Sequence, residues 1–166
     1  GDPLDPATEM GARVGESHPA RVEDHIATGL DEGARLRTGG DRTLTDTGGS
    51  FLAPTVFDRV DPGMRLAREE IFGPVLSVLA FDDLDEAVRL ANATEYGLAA
   101  ALWTSDLSTA HRVSRALRAG TVWVNCYEEG DLTVPFGGMK QSGNGRDKSA
   151  HALEKYTELK TTWIQL

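Results

Sequence analysis

Residues 75–125 decide the fold, and they read VLSVLAFDDLDEAVRLANATEYGLAAALWTSDLSTAHRVSRALRAGTVWVN. Apolar segments at Val75–Phe81, Ala99–Trp103 and Thr121–Asn125 predict strands, because each is short and bounded by polar residues or glycine. Between them lie two stretches whose apolar residues follow helical spacing. Strands that alternate with helices over short connections need right-handed crossovers. The segment therefore predicts an α/β fold built on a parallel β-α-β sheet.

Capping residues support both predicted helices. Asp83 predicts the N-cap of the first, with Glu86 as its capping-box partner. Ser105 or Asp106 predicts the N-cap of the second, and Gly120 predicts its end. The apolar residues expected to face inward are Leu84, Ala87, Val88 and Ala91 in the first helix, and Ala110, Val113 and Leu117 in the second.

The flanking sequence predicts further elements on both sides. Towards the N-terminus, Val22, Ile26 and Leu30 follow helical spacing behind Ser17, a predicted cap. Strands are expected at residues 34–37 and 51–57, with an exposed hairpin-like connection between them. Towards the C-terminus, residues 147–156 predict a short helix and residues 159–166 a final strand rich in Thr, Trp and Ile.

Composition limits the functional classes. The chain has 166 residues, 40% of them hydrophobic, which is enough for a buried core. Its net charge of −9, without a basic cluster, argues against nucleic acid or an anionic membrane as partner. A single cysteine excludes an internal disulfide framework. No apolar run is long enough for a bilayer span and no signal-like N-terminus is present, so we expect a cytoplasmic protein. Because the chain opens at Gly1 on loop-like sequence, a piece of a longer protein is also expected.

Cys126 invites interpretation as a nucleophile, because it follows a predicted strand at the edge where α/β proteins bind ligands. A reactive thiolate needs an electropositive setting. The neighbouring acidic residues Glu128, Glu129 and Asp131 favour the protonated thiol instead. We therefore favour a half-buried cysteine that lines a pocket. Gly143 and Gly145 are interpreted as turn glycines, since the third glycine of a dinucleotide fingerprint is missing. The histidines lack the spacing of metal ligands, so no metal site is expected.

Three blocks carry a family resemblance. They are Glu69-Glu-Ile-Phe-Gly-Pro-Val75, Asn92-Ala-Thr-Glu-Tyr-Gly-Leu98 and Pro135-Phe-Gly-Gly-Met-Lys-Gln-Ser-Gly143. In this order they resemble aldehyde dehydrogenases, of which this chain would form the C-terminal third. The Asn125-Cys-Tyr127 loop and the segment at residues 142–148 most resemble dehydrogenases of γ-glutamyl-γ-aminobutyraldehyde and related aminoaldehydes.

The resemblance implies an NAD- or NADP-dependent enzyme whose nucleophilic cysteine and general-base glutamate lie upstream. No catalytic residue is then expected in this chain, and the chain alone is expected to be inactive. Glu70 and Phe72 are implied to contact the cofactor, with the carboxylate on the ribose hydroxyls and the ring against the nicotinamide. The alternative is that Glu70 is a helix-end charge and Phe72 a core residue.

The resemblance also implies a substrate loop over residues 127–136. Glu128, Asp131, Leu132 and Phe136 are its predicted substrate-binding residues, with Phe136 as an aromatic wall. The acidic residues, Glu129 among them, would attract the cationic tail of a small aminoaldehyde. The alternative is that they are simply solvated loop acids.

The expected organisation has residues 1–157 in the catalytic domain, including the cofactor segment near residues 69–75. Residues 158–166 are expected to form an oligomerisation strand that joins an intersubunit sheet in a homo-oligomer. A different function remains open from the sequence. The chain would then be a truncated, non-catalytic relative that acts as an assembly or interaction module.

Overall fold

The computed structural model describes residues 1–128 and 130–166 and divides the chain into two compact units, Gly1–Phe81 and Asp82–Leu166. Both combine helices with strands, and within the described residues each contains one parallel strand pair, Thr55–Asp58 with Val75–Ser77 or Ala99–Leu102 with Thr121–Val124. The chain is thus mixed α/β with parallel strands, as the sequence predicts. This division does not bear on the predicted domain boundary after residue 157, which stays a prediction. None of the described helices is long and apolar enough to cross a bilayer.

The first unit packs one long helix beside a small mixed sheet. Its elements are α1 (Ser17–Asp31), β1 (Arg35–Thr38), β2 (Arg42–Thr43), a 3₁₀ turn (Thr45–Thr47), β3 (Phe51–Leu52), β4 (Thr55–Asp58), α2 (Arg65–Arg68) and β5 (Val75–Ser77). Strand β4 is central, antiparallel to β1 and parallel to β5. A separate antiparallel pair joins β2 to β3.

The core of the first unit forms where α1 meets this sheet. Val22 of α1 and Phe57 of β4 are both 0% exposed, and the cluster around them consists of Ile26, Ala34, Leu52, Val60 and Leu66. Leu30, the third residue of the predicted helical pattern, lies in α1 but outside this core, because it is 48% exposed. The predicted cap is also displaced by one residue, since Glu16 is the N-cap and Ser17 begins the helix.

The second unit contains a helical crossover between two parallel strands. Its elements are α3 (Leu84–Asn92), β6 (Tyr96–Gly97), β7 (Ala99–Leu102), α4 (Leu107–Ala116), β8 (Thr121–Val124), β9 (Met139–Lys140) and a 3₁₀ helix (Ala150–Tyr156). Strands β7 and β8 pair in parallel on either side of α4. Strands β6 and β9 form an antiparallel pair.

The predicted caps of α3 and α4 are confirmed. Asp83 accepts the Glu86 N–H at 2.8 Å, and Asp106 accepts the Thr109 N–H at 2.8 Å. The capping box differs by one residue, because the Glu86 carboxylate accepts the Asp82 N–H rather than that of Asp83. On α4, Ala110 and Val113 are buried as expected, whereas Ala91 at the end of α3 is exposed.

Three strand predictions need correction. The segment at residues 51–57 is split into β3 and β4 by Ala53 and Pro54, since proline has no N–H for a ladder. Strand β5 ends at Ser77 and pairs with β4, so among the described strands it belongs to a different sheet from β7 and β8. Residues 157–166, all of them described, form neither helix nor strand.

Candidate functional site

The predicted cofactor segment of the first unit is a loop between α2 and β5. Phe72 adopts a left-handed backbone conformation with φ of 53°, and its side chain is 73% exposed. His18 on α1 donates from Nε2 to the Phe72 carbonyl at 2.6 Å. The two rings meet edge to face, with centroids 6.3 Å apart. The alternative of a core phenylalanine does not match this position, because the ring is held out of the core and presented outward.

The next residue explains how this loop passes α1. A Cβ built on Gly73 would lie 2.6 Å from Cγ2 of Val22, which is fully buried. Any larger residue would push the loop away from the helix. Glycine after Phe72 therefore sets the close approach that His18 then fixes with its hydrogen bond.

The two adjacent carboxylates of the loop have different surroundings. Glu69 accepts a hydrogen bond from Arg65 Nε at 2.7 Å and lies 3.3 Å from His25 Nε2. The hydrogen bond from Arg65 lowers the pKa of Glu69 below its ordinary value. Glu70 is exposed and has no hydrogen bond or ion pair with a described residue. Of the two, Glu70 is the carboxylate free to accept hydrogen bonds from ligand hydroxyls.

In the second unit, Asn125 ties together the carboxyl ends of β7 and β8. Its Oδ1 accepts the Thr104 N–H at 2.8 Å, and its Nδ2 donates to the Thr104 carbonyl at 2.9 Å. Asn125 itself has φ of 57°, a conformation that asparagine tolerates better than most residues. The chain is thereby turned out of the sheet into the predicted substrate loop. Cys126 follows directly and is half-buried and free.

A cleft of about 380 Å³ lies between this loop and the segment that returns from it. Glu128 and Phe136, both predicted from the sequence, line it, and Cys126 does not belong to its lining. The described residues that line it are Thr121, Trp123, Glu128, Gly130, Val134, Pro135, Phe136 and Lys148. Among the described residues, the cleft thus combines an aromatic wall with one carboxylate and one ammonium.

The other predicted substrate residues lie outside this lining. The Asp131 carboxylate accepts hydrogen bonds from the Thr133 hydroxyl at 2.6 Å and from the Thr133 N–H at 2.7 Å. These hydrogen bonds lower the pKa of Asp131 below its ordinary value. Leu132 is 78% exposed, and its carbonyl accepts the Ser149 N–H at 2.8 Å. Glu129 lies outside the described residues. The roles of Asp131 and Leu132 in substrate binding stay predictions.

Sequence reasoning missed Lys148 as a member of the cleft. Its Nζ lies 5.7 Å from the centroid of the Phe136 ring, within the range of a cation–π contact. Lys148 comes close to Phe136 because its neighbour Asp147 forms a β-bridge with Phe136. In this bridge the Phe136 N–H donates to the Asp147 backbone carbonyl at 2.8 Å. No local sequence pattern predicts such a pairing. The only signal was the basic residue within the family-like segment at residues 142–148.

The other family-like blocks hold the second unit together. Asn92 joins the C-terminal ends of α3 and α4, because it donates to the Ala116 carbonyl at 2.9 Å and accepts the Arg118 N–H at 2.7 Å. Lys140 donates to the carbonyls of Asn92 and Thr94 at 3.3 and 2.7 Å. These motifs therefore connect α3, α4 and the β6–β9 pair to one another.

Comparison with known proteins agrees with the resemblance. The aldehyde dehydrogenase family model matches residues 1–162. The NADP/NAD-dependent aldehyde dehydrogenase PuuC of Escherichia coli (strain K12) is 55% identical over 166 residues, which are 100% of this chain and 33% of that protein.

Two solved structures are also similar along nearly all of the chain. The indole-3-acetaldehyde dehydrogenase complexed with NAD⁺ superposes with a TM-score of 0.95 at 61% identity and covers 100% of this chain. The gamma-glutamyl-gamma-aminobutyraldehyde dehydrogenase from Burkholderia cenocepacia J2315 superposes with a TM-score of 0.92 at 66% identity and covers 98% of it. This chain covers 34% and 33% of those two proteins, so it spans about a third of the length of its relatives.

Proposed function

Because this chain belongs to the aldehyde dehydrogenase family, we propose that it is the C-terminal third of an NAD- or NADP-dependent enzyme that oxidises an aminoaldehyde to the carboxylic acid. Its catalytic cysteine and general-base glutamate then come from the rest of that enzyme. Cys126 is not the nucleophile in this proposal. Residues 1–157 belong to the catalytic domain and residues 158–166 to a strand between subunits.

The observation that carries the proposal is the geometry of the loop at residues 69–75. The Phe72 ring is exposed, and His18 holds the Phe72 backbone through its carbonyl. Two residues earlier, Glu70 is exposed and has no hydrogen bond or ion pair within the described part of the chain. These groups fit the nicotinamide end of a dinucleotide, because a carboxylate accepts two ribose hydroxyls and an aromatic edge limits the rotation of a flat ring. When bound, the cofactor would accept the hydride. The contribution of this chain is to orient it.

The cleft of the second unit supports an aminoaldehyde as substrate class. Glu128 offers a carboxylate to an amino group, and Phe136 offers an apolar wall to the carbon chain. A positive tail is attracted to such a carboxylate, and the attraction weakens with salt. The exposed strand-prone tail at residues 157–166 is consistent with a segment that pairs only within a homo-oligomer.

The test compares the 166-residue chain with the complete enzyme that contains it. Each purified protein is mixed with 4-aminobutanal and NAD or NADP, and formation of the reduced cofactor is followed by absorbance. We expect turnover by the complete enzyme and none by the isolated chain. Aldehyde-dependent reduction by the isolated chain would contradict the missing nucleophile. Absence of turnover by the complete enzyme, with a folded homo-oligomer, would favour a non-catalytic assembly module instead.

A further inference from the structure

We propose that Asn144 is a modification site, at which the side-chain amide deamidates spontaneously, and that the isoaspartate formed there disturbs the segment that carries Phe136. The Asn144-Gly145 pair belongs to the glycine turns that the dinucleotide interpretation leaves without a role. The proposed function gives them no role either. The reaction needs only the chain itself and water, so the site is independent of that function.

The chain has three asparagines, and their side chains have different surroundings. In Asn92 and Asn125, both the oxygen and the nitrogen of the amide are hydrogen-bonded to backbone groups, at distances between 2.7 and 2.9 Å. Asn144 is exposed, and its side chain has no hydrogen bond within the described part of the chain. Its amide is therefore free to turn towards the main chain, whereas the other two must first break two hydrogen bonds.

The residue after Asn144 leaves the attacking atom accessible. Glycine has no Cβ, so the backbone nitrogen of Gly145 is open to the preceding side chain. Its N–H donates to no acceptor among the described residues, and residues 141–146 lie outside any helix or strand. The other two asparagines precede Ala93 and Cys126, whose Cβ atoms hinder the same approach. Of the three asparagines, Asn144 alone combines a free amide with a following glycine.

Asparagine is a thermally labile residue in proteins, and the reaction at this site balances with water alone. The Gly145 nitrogen loses its proton and bonds to Cγ of Asn144, which closes a cyclic imide. The bond from Cγ to the side-chain nitrogen breaks, and this nitrogen leaves as ammonia with the proton. Water then opens the imide at either carbonyl. One opening gives aspartate, and the other gives isoaspartate, in which the main chain runs through the former side chain.

The contacts of Gly145 connect this position to the cleft. Arg146 donates to the carbonyls of Gly138 and Gly145, each at 2.8 Å. A Cβ built on Gly137 would collide with the Gly145 carbonyl oxygen, so the two segments touch backbone to backbone. Gly137 directly follows Phe136. Isoaspartate lengthens the main chain just before Gly145, so this carbonyl must move, and the Phe136 segment packed against it must adjust.

The first experiment incubates the complete enzyme at neutral and at alkaline pH and follows all three asparagines by peptide mapping with mass spectrometry. We expect Asn144 to be modified about tenfold faster than Asn92 or Asn125, the effect of the hydrogen bonds that those two must break. The reaction should be faster at alkaline pH, because the attacking nitrogen must lose its proton. Enzymatic methylation of isoaspartate identifies the product. Modification of Asn144 no faster than that of Asn92 and Asn125 would overturn the site.

The second experiment tests the effect on the cleft by hydrogen exchange in the peptide that contains Phe136. The Phe136 N–H donates to the Asp147 carbonyl at 2.8 Å and is protected by this bond. We expect its exchange to become about tenfold faster after incubation, the effect of weakening one backbone hydrogen bond. Asn144→Gln is the matched control, because glutamine keeps the amide but places it a methylene further from the main chain, where ring closure is slow.

The incubated Asn144→Gln enzyme should keep the exchange rate of the fresh enzyme. Equal acceleration in both proteins, or none in modified wild-type enzyme, would overturn the effect on Phe136. Neither measurement needs turnover. Modification of Asn144 in an enzyme that oxidises no aldehyde would support the site and remove the proposed function, whereas an active enzyme with an intact Asn144 would do the reverse.

Discussion

Adjacent carboxylates at residues 69 and 70 show how local contacts assign different roles to chemically equal side chains. The Glu69 carboxylate contacts Arg65 of α2 and His25 of α1, and these contacts hold the loop against both helices. An ion-paired carboxylate has fewer free acceptor positions for a ligand. Glu70 lacks such partners among the described residues, so its acceptor capacity is available.

The substitution Glu70→Gln in the complete enzyme tests this assignment. We expect it to raise the KM for NAD about tenfold, because two charge-assisted hydrogen bonds to ribose become neutral ones. The KM for the aldehyde should change much less. Steady-state kinetics with each substrate varied in turn gives both values.

Glu9→Gln is the control for this measurement, since Glu9 is exposed and lies far from the loop in sequence. It should leave the KM for NAD unchanged. If Glu70→Gln behaves like Glu9→Gln, the predicted cofactor contact of Glu70 is wrong.

At the scale of elements, α4 depends on the charge state of its cap. Hydrogen bonds from the Thr109 hydroxyl and N–H lower the pKa of Asp106 below its ordinary value of 3.8. A carboxyl whose pKa is depressed in the folded state stabilises that state above its unfolded pKa. This contribution is lost as the pH falls through the folded pKa.

The variant Asp106→Asn retains an acceptor for the Thr109 N–H but does not titrate. We expect the complete enzyme to be more stable than this variant at neutral pH. The difference should shrink as the pH falls below 3.8, because wild-type Asp106 then becomes neutral as well. Denaturant unfolding of both proteins between neutral pH and about pH 3 measures it, since contributions of other carboxyls cancel. A difference that is independent of pH would show that the charge of Asp106 contributes nothing.

The same elements show what the sequence could predict. The β7-α4-β8 crossover was predictable because its signals are local: a capping aspartate and apolar residues at helical spacing. Gly120 was the wrong end for α4, because the helix ends at Ala116 and Leu117 is its C-cap. The partner of β5 was not predictable in this way. Strand β5 pairs with β4, and α2 lies between these two strands in the sequence. The apolar spacing around residue 75 is equally compatible with pairing to β4 or to the β7–β8 sheet.

The same contrast between local signals and tertiary contacts applies to the candidate site. Glu128 and Phe136 are close in sequence and lie in one cleft, as expected from a single loop. Lys148 reaches that cleft only through the bridge between Phe136 and Asp147, which is a tertiary contact. The final segment, residues 157–166, has strand-forming residues but no strand partner among the described residues. A segment of this kind has its structure determined by whatever pairs with it.

At the scale of the whole molecule, the exposed surface is large for the mass of the chain. The chain exposes 11931 Å², whereas a compact monomer of its mass exposes about 8,000 Å² and two separate half-size domains about 9,700 Å². Exposed large side chains occur in both units, among them Phe72, Leu76, Trp103, Leu107 and Trp163. Under the proposed function, other parts of the enzyme or other subunits would cover these exposed apolar side chains.

We therefore expect the isolated 166-residue chain to bind the dye ANS strongly and to self-associate, because its apolar faces remain accessible to water. The complete enzyme should bind little dye per mole of chain, since those faces are buried within it. Dye fluorescence and sedimentation velocity, at equal chain concentration, measure the two properties. An isolated chain that stays monomeric, unfolds cooperatively and binds no dye would show that the two units cover their own apolar surface in solution.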